Sequence, residues 1–291
     1  MRLLVFGQTG QVARELAHVL ARGLPSGWQA DFLGRGRADL SDPDACAAII
    51  AASDAQAVIN AAAYTAVDRA EDEEALATVV NGDAPAAMAR AAAQRGLPFV
   101  HISTDYVFDG SGTAPFAPDH PPAPLGAYGR SKLRGEDGVR AAGGAHAILR
   151  TSWVFSAHGS NFVRTMLGLG AERDTLRVVA DQTGGPTPAR AIAQACLRVA
   201  AQLRQDPGRS GTWHFSGAPD TSWAGFARAI MARAGLDCRI EEIATRDWPT
   251  PARRPLNSRL DCSATEAAFG LPRPDWRAGL DEVLQKLKGT S

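Results

Sequence analysis

The chain has 291 residues, 31 lysines and arginines against 31 acidic side chains, and 45% hydrophobic residues, the composition of an ordinary globular protein. Its length allows one large domain or two modest ones, with enough buried apolar surface to fold without cross-links. Zero net charge argues against electrostatic capture of nucleic acid or anionic membrane, and the uncharged run 55–67 falls well short of the roughly 20 residues that a membrane helix needs.

The first residues pass from Arg2 straight into an apolar run that ends at Gly7, without the long hydrophobic stretch and cleavage site of a secretory signal. We therefore expect a cytoplasmic protein with its mature N-terminus. Apolar runs at 3–6, 30–33, 57–59, 99–102 and 147–149, each bounded by Gly, Pro, Asn or Thr, predict buried strands. Between the first two, Val12, Leu16, Val19 and Leu20 fall on one helix face. The alanine-rich segments 44–52 and 84–95 predict two more helices, the second stopped by Gly96 and Pro98. Strand and helix alternating in this way imply a parallel, doubly wound α/β sheet of the Rossmann type over residues 1–150.

Residues 151–291 change character and predict a smaller α/β substrate-binding domain, with the segment near 177–205 returning to the first. Ile192, Cys196, Val199 and Leu203 make one apolar stripe. Trp223, Phe226, Ala227, Ile230, Met231 and Ala234 make a second behind the caps Thr221 and Ser222, and Trp276, Leu280, Val283, Leu284 and Leu287 a third. Ser263 and Glu266 have the spacing of a capping box. Proline and glycine cluster at 110–126, 184–188 and 249–255, loops of the kind that carry ligand sites when hung from a parallel sheet. The cysteines Cys46, Cys196, Cys238 and Cys262 are widely spaced, which indicates neither a disulfide framework nor a zinc knuckle.

Three motifs carry chemistry. Gly7-Gln8-Thr9-Gly10-Gln11-Val12-Ala13 follows the first strand and opens the first helix. Gly7 permits a tight turn, Gly10 lets backbone approach a pyrophosphate, and Ala13 allows close helix packing, so that phosphates meet free N–H groups at the helix N-terminus. A glycine-rich turn that binds nothing has the same local sequence. The second strand ends in Leu33-Gly34-Arg35-Gly36-Arg37, with no carboxylate to hold a ribose 2′-hydroxyl; Arg35 and Arg37 suit a 2′-phosphate, hence NADPH over NADH, or else are solvated loop arginines. Asp31 lies inside the strand in this register.

Tyr128-Gly129-Arg130-Ser131-Lys132 places a phenol and an ammonium four residues apart, on one helix face. A free tyrosine titrates near 10, and bringing it about three units toward neutrality takes roughly 4 kcal/mol, which a lysine and a cationic nicotinamide favour. Such a tyrosine suits proton delivery to a ketone oxygen, although an exposed helix face also produces this spacing. Ser103-Thr104-Asp105 ends the fourth strand, where open α/β sheets place their sites. Thr104 can donate to a carbonyl; Asp105 can accept from a sugar hydroxyl or cap the following loop.

With these motifs the chain resembles an extended short-chain dehydrogenase/reductase and, within that group, the dTDP-4-dehydrorhamnose reductase family. The likeness runs end to end, through 60–68 (NAAAYTAVD), 103–110 (STDYVFDG), 150–154 (RTSWV), 181–187 (DQTGGPT) and 254–260 (RPLNSRL). The resemblance implies NAD(P)H-dependent reduction of the C4 ketone of dTDP-4-dehydro-L-rhamnose to dTDP-L-rhamnose, a donor for cell-surface polysaccharide. Carried over residue by residue, it makes Tyr128 the proton donor, Lys132 the residue that holds the nicotinamide ribose and tunes Tyr128, and Thr104 the group that positions the reacting oxygen. Gly7, Gly10, Gln11 and Val12 would cradle the pyrophosphate; Asp39 and Leu40 would border the adenine; Ala62, Ala63, Tyr64 and Thr65 would line the cofactor. Asp105 and Trp153 would contact the sugar, and Arg254 and Asn257 the nucleotide end or else a structural loop.

Some members of that family form dimers bridged by metal through acidic side chains. Glu15 is present here, but Arg190 stands where another carboxylate is expected, so the expectation is no metal and a monomer or weak homodimer. Two rival readings remain at this level: a reductase or epimerase of another nucleotide-linked keto-deoxysugar, and a non-catalytic NADP-binding regulatory subunit.

Overall fold

A computed structural model describes residues 1–23 and 25–289. The chain opens with β1 (Arg2–Phe6), α1 (Gln11–Ala21), β2 (Gln29–Leu33), α2 (Pro43–Ala52) and β3 (Ala57–Asn60). Next come α3 (Glu74–Thr78), α4 (Ala84–Gln94), β4 (Phe99–Thr104), α5 (Ala127–Ala141) and β5 (His146–Thr151). Beyond the first 151 residues run β6 (Val154–Phe155), α6 (Phe162–Glu172), β7 (Thr175–Val179), β8 (Thr183–Gly184), β9 (Thr187–Pro188) and α7 (Ala189–Gln205). The chain closes with β10 (Gly211–His214), β11 (Thr221–Ser222), α8 (Trp223–Ala234), β12 (Arg239–Ile243), β13 (Asn257–Ser258), α9 (Ser263–Phe269) and α10 (Trp276–Lys288).

The main sheet has six strands in the order β10-β5-β4-β3-β1-β2, all parallel. Each of the five predicted strands is there. β1, β3, β4 and β5 are buried almost throughout because helices cover both faces, while the outer strand β2 buries only Leu33. On one face α1 and α7 lay Val12, Leu16, Val19, Ile192, Cys196, Val199 and Leu203 against Leu3, Val5, Ile59 and Val100. On the other, α2 and α4 lay Cys46, Ile50, Met88 and Ala92 against Leu4, Phe6, Val58 and Phe99. The strand order reverses between β1 and β3, so the crevice at the carboxyl ends of these strands is the place where such sheets bind ligands.

α7 packs on the main sheet, and β10 adds its outer strand beside β5, a contribution the sequence reading did not place. The remaining C-terminal elements build a second core from Val163, Met166, Leu176, Phe226, Ile230, Trp276 and Leu280, with β7 and β12 as a parallel pair. Ser222 caps α8 by accepting from the Gly225 N–H. The capping box at Ser263 does not form: Ser263 is already the first helical residue, and the Asp261 carboxylate takes its N–H. The four cysteines are buried, free thiols.

Helix formation begins ten residues earlier than the alanine-rich segment suggested. α3 runs through a π turn, Val79–Asp83, into α4. The Asn81-Gly82 pair reads locally as a breaker, but tertiary contacts carry the helix across it, and π turns of this kind gather at functional sites.

Candidate active site

The turn after β1 is built for an anion. Gly7 adopts φ +117°, closed to L side chains, and a Cβ there would lie 3.2 Å from the Ala61 carbonyl carbon. Gly10 is the N-cap of α1 and supplies no side-chain cap, and the first turn holds no acidic residue. The N–H groups at this helix start therefore keep their positive field for a ligand. Val12 is buried under the turn. Gln11 turns away: its amide oxygen accepts from Ser156 at 3.1 Å and Asn161 at 3.0 Å.

The β2 end confirms the register in which Asp31 is mid-strand, paired across from Leu4. Asp31 has its own partner, the Arg37 guanidinium, which forks onto it at 2.7 and 2.8 Å and holds the carboxyl below its usual range. Arg37 is thus engaged, whereas Arg35 is largely exposed, with Asp39 3.6 Å away. Asp39 accepts from the Ser41 N–H, which holds its carboxyl down, and Leu40 is buried against the α2 side of the sheet. Ala62, Ala63, Tyr64 and Thr65 follow β3 at the same edge. Asn60 takes the Ala62 N–H, and Asn81 of the π turn grips Tyr64 at both N–H and C=O. The Tyr64 hydroxyl donates to Glu73 at 2.6 Å, which raises its pKa.

Thr104 is the last residue of β4, and Tyr128 lies in the first turn of α5. The Thr104 side chain lies near enough to the phenol to favour its ionisation, while its own hydroxyl donates to Asp105. Glu71 accepts the Ala127 N–H at 2.9 Å, capping α5 from outside the helix. Gly129 explains why the tyrosine sits so close to the strand: a Cβ there would fall 2.2 Å from the Tyr106 carbonyl oxygen. Tyr106 packs edge-on against Tyr128, with ring centroids 5.5 Å apart.

Asp105 is 3% exposed; its Oδ1 accepts from Thr104 at 3.0 Å, and its Oδ2 has no hydrogen-bond partner. Burial pushes this carboxyl up to about 6, against the pull of the Ser258 and Thr104 hydroxyls. A buried carboxylate oxygen without a partner is a strong acceptor for a hydroxyl.

Tyr128 and Lys132 leave the same helix face, but their polar ends engage different partners. The Lys132 amine donates to the Ile102 carbonyl at 2.7 Å and lies 3.3 Å from His101 Nε2. The phenol is not drawn toward neutrality by the groups of this chain. Burial raises its pKa, Asp105 and Tyr106 add to that, and only Thr104 opposes it. Trp153 adopts φ +50°, strained for a bulky residue, stacks on Trp223 at 3.7 Å and has Gly184 against its ring, where a Cβ would fall 2.9 Å from Trp153 Cε2.

Arg254 pairs with Asp68 at 2.8 Å, while the Asn257 amide donates to the carbonyls of Ser111 and Ala114 and so ties two loops together. Glu15 accepts from Lys286 at 2.9 and 3.0 Å, and Arg190 pairs with Glu282. The sequence reading missed Asn60, Asn81, His101 and Glu71, which hold the site's backbone and its lysine; none of them carries a local motif.

A family model described as the RmlD substrate binding domain matches residues 1–288. A dTDP-4-dehydrorhamnose reductase of Burkholderia thailandensis is 45% identical over 289 residues, covering 95% of this chain and 96% of the relative. The chain belongs to the dTDP-4-dehydrorhamnose reductase family. The Escherichia coli K12 member is 36% identical across 100% of this chain and 99% of its own. Among solved members, the Clostridium acetobutylicum reductase superposes with a TM-score of 0.90 at 33% identity, covering 99% of this chain and 100% of that one. The Bacillus anthracis reductase, solved in complex with NADP, gives 0.89 at 31% identity over 98% and 99%. Among the described residues no helix is long and apolar enough to cross a membrane.

Proposed function

We propose that this chain catalyses the NADPH-dependent reduction of the C4 ketone of dTDP-4-dehydro-L-rhamnose to dTDP-L-rhamnose. The observation that carries the reading is that Thr104, at the carboxyl end of β4, and Tyr128, in the first turn of α5, share the carboxyl edge of the sheet onto which the uncapped N-terminus of α1 also opens. Residues 1–150 are assigned to the dinucleotide, with Gly7, Gly10 and Val12 at the pyrophosphate, Arg35 at the 2′-phosphate and 62–65 along the coenzyme. Residues 151–291 are assigned mainly to the nucleotide sugar, apart from the segment near 177–205.

The chemistry a bound reduced nicotinamide supplies is a hydride. Everything else falls to side chains. The phenol of Tyr128, kept protonated by burial, donates to a ketone oxygen set beside it and to the alkoxide that develops, while Thr104, whose hydroxyl donates to Asp105 here, would turn that proton to the same oxygen when substrate binds. Asp105 Oδ2, buried and without a partner, accepts from a sugar hydroxyl, and the Trp153 ring, stacked on Trp223, packs against the sugar. Lys132 orients the nicotinamide ribose. A cytoplasmic location and a monomer or weak homodimer accompany this reading.

Purified protein supplied with dTDP-4-dehydrorhamnose and NADPH should consume the reduced coenzyme with formation of dTDP-rhamnose. Coenzyme binding without turnover of this sugar would overturn the assignment.

A further inference from the structure

Behind the cleft, three buried polar side chains run in line from β3 through β4 to α5. Asn60, His101 and Lys132 are 1%, 0% and 1% exposed. The Asn60 amide lies 3.2 Å from His101 Nδ1, and His101 Nε2 lies 3.3 Å from the Lys132 amine. Donor and acceptor capacities fix the direction of this chain. The Ala62 backbone N–H can only donate, so the oxygen of Asn60 faces it, at 3.1 Å. The Asn60 amide nitrogen then faces His101, and it too can only donate. His101 Nδ1 must therefore accept, which leaves the imidazole proton on Nε2. The tautomer follows from a backbone donor and not from a chosen amide orientation. Nε2–H points at Lys132, where an ammonium has no lone pair to receive it.

We propose that Asn60 and His101 are a positioning pair for Lys132: Asn60 fixes His101 as the Nε2–H tautomer, and His101 donates that hydrogen to the lysine in its neutral amine form. The proposal rests on the reductase reading, which gives Lys132 its place beside the coenzyme. The amine meanwhile donates to the Ile102 carbonyl. To charge Lys132, the imidazole proton must move to Nδ1, where it meets the Asn60 amide hydrogens head-on. One hydrogen bond is lost in a site that water does not reach.

Burial, the largest influence, already lowers the Lys132 pKa to about 8, with Glu136 acting in the other direction. His101 is kept neutral, far below its ordinary range, by burial and by Lys132. Glu136 shares α5 with the lysine, but its carboxylate is taken up by Arg150 of β5 and by Arg140. The π turn brings only the uncharged Asn81 and β3 only the uncharged Asn60, while Tyr128, one helical turn back, packs against Tyr106. With the Ile102 carbonyl, the His101–Asn60 pair is thus how the sheet acts on the lysine's charge, and it is the part that distinguishes amine from ammonium.

Nitrogen-15 spectra of the full-length protein, labelled at histidine, test the pair directly. Above about pH 9, where a lysine of this kind is an amine, His101 should carry its proton on Nε2, and in Asn60→Asp the new carboxylate should draw that proton to Nδ1. With dTDP-4-dehydrorhamnose and NADPH, the basic inflection in kcat/KM should move up by about one pH unit or more in Asn60→Asp, because the ammonium then meets a lone pair on Nε2. His101 protonated on Nδ1 in the unmutated protein at that pH overturns the proposal, whatever the enzyme turns over, and so does an unmoved inflection in a variant whose tautomer has switched. If Asn60→Asp does not fold, the unmutated spectra decide alone. The Nε2–H tautomer in a protein inactive on this sugar leaves the pair standing and removes the reductase reading instead.

Discussion

Arg150 and Glu136 face each other across the β5–α5 boundary, guanidinium forked onto carboxylate at 2.7 and 2.9 Å, at 2% and 0% side-chain exposure. Burial alone would raise the Glu136 pKa, but Arg150 outweighs it, helped by Ser103, and the carboxyl is held below its usual range. Glu136→Gln leaves the guanidinium buried against a neutral partner and should destabilise the fold by about 3 kcal/mol. The paired change Glu136→Leu with Arg150→Met should cost far less. Urea midpoints of the three variants check both statements, and equal losses in single and double variants would contradict them.

Tyr128→Phe removes the proton donor and keeps the ring against Tyr106. Turnover should fall at least about 100-fold, the size of a lost general acid, while NADPH affinity by fluorescence titration changes little.

Coenzyme choice should follow the two arginines after β2. Arg35→Ala should weaken NADPH about tenfold, the scale of one charge-assisted contact, and leave NADH nearly unchanged. Asp31→Ala releases Arg37 from its fork and should strengthen NADPH relative to NADH. The ratio of kcat/KM for the two coenzymes measures each effect; a ratio that ignores both changes would move the 2′-phosphate elsewhere.

Acid should unfold the protein through its buried histidines. His214 is driven down to about 3 by burial and by Arg150, and His101 is lowered by burial and by Lys132. Below the unfolded value near 6.5 the unfolded chain binds protons that the folded one refuses, so stability falls as pH drops, by about 1.4 kcal/mol per pH unit for each histidine. Asp105, raised to about 6 by burial, has the opposite sign: between its unfolded value and about 6 the folded state holds the extra proton, which offsets one histidine. The decline should therefore be steepest between about 6.5 and 6, then shallower. Denaturation midpoints across pH 5 to 8, read in roughly half-unit steps, check this, and a flat profile would refute it.

The glycine turn and the Tyr128–Lys132 helix were legible because each is local. Gly7 and Gly10 bracket one turn, and a four-residue spacing on a helix names its own geometry. Most of the buried runs were legible for the same reason, since β1, β3 and β5 carry short apolar strings, whereas β2 is broken by Asp31 and β4 by His101. What stayed hidden lies between elements. Nothing in 79–83 announces a π turn, because Asn81 is held by Tyr64 and Ser131, 17 and 50 residues away. Arg37 reads as a free cation until the loop folds back on Asp31. The alignment of Asn60, His101 and Lys132 depends on the register of β3 beside β4 and on α5 crossing above them.

Gln11 sits at the start of α1, yet its amide is held by Ser156, Asn161 and the Val154 carbonyl, all beyond the last strand of the N-terminal half. A chimera that joins this N-terminal half to the sugar-recognising half of a relative inherits a severed joint unless positions 11, 156 and 161 travel as a set. The two halves of this chain are thus stitched by a three-residue polar seam, and an exchange that keeps Gln11 but replaces its two partners leaves the glutamine oxygen without either donor.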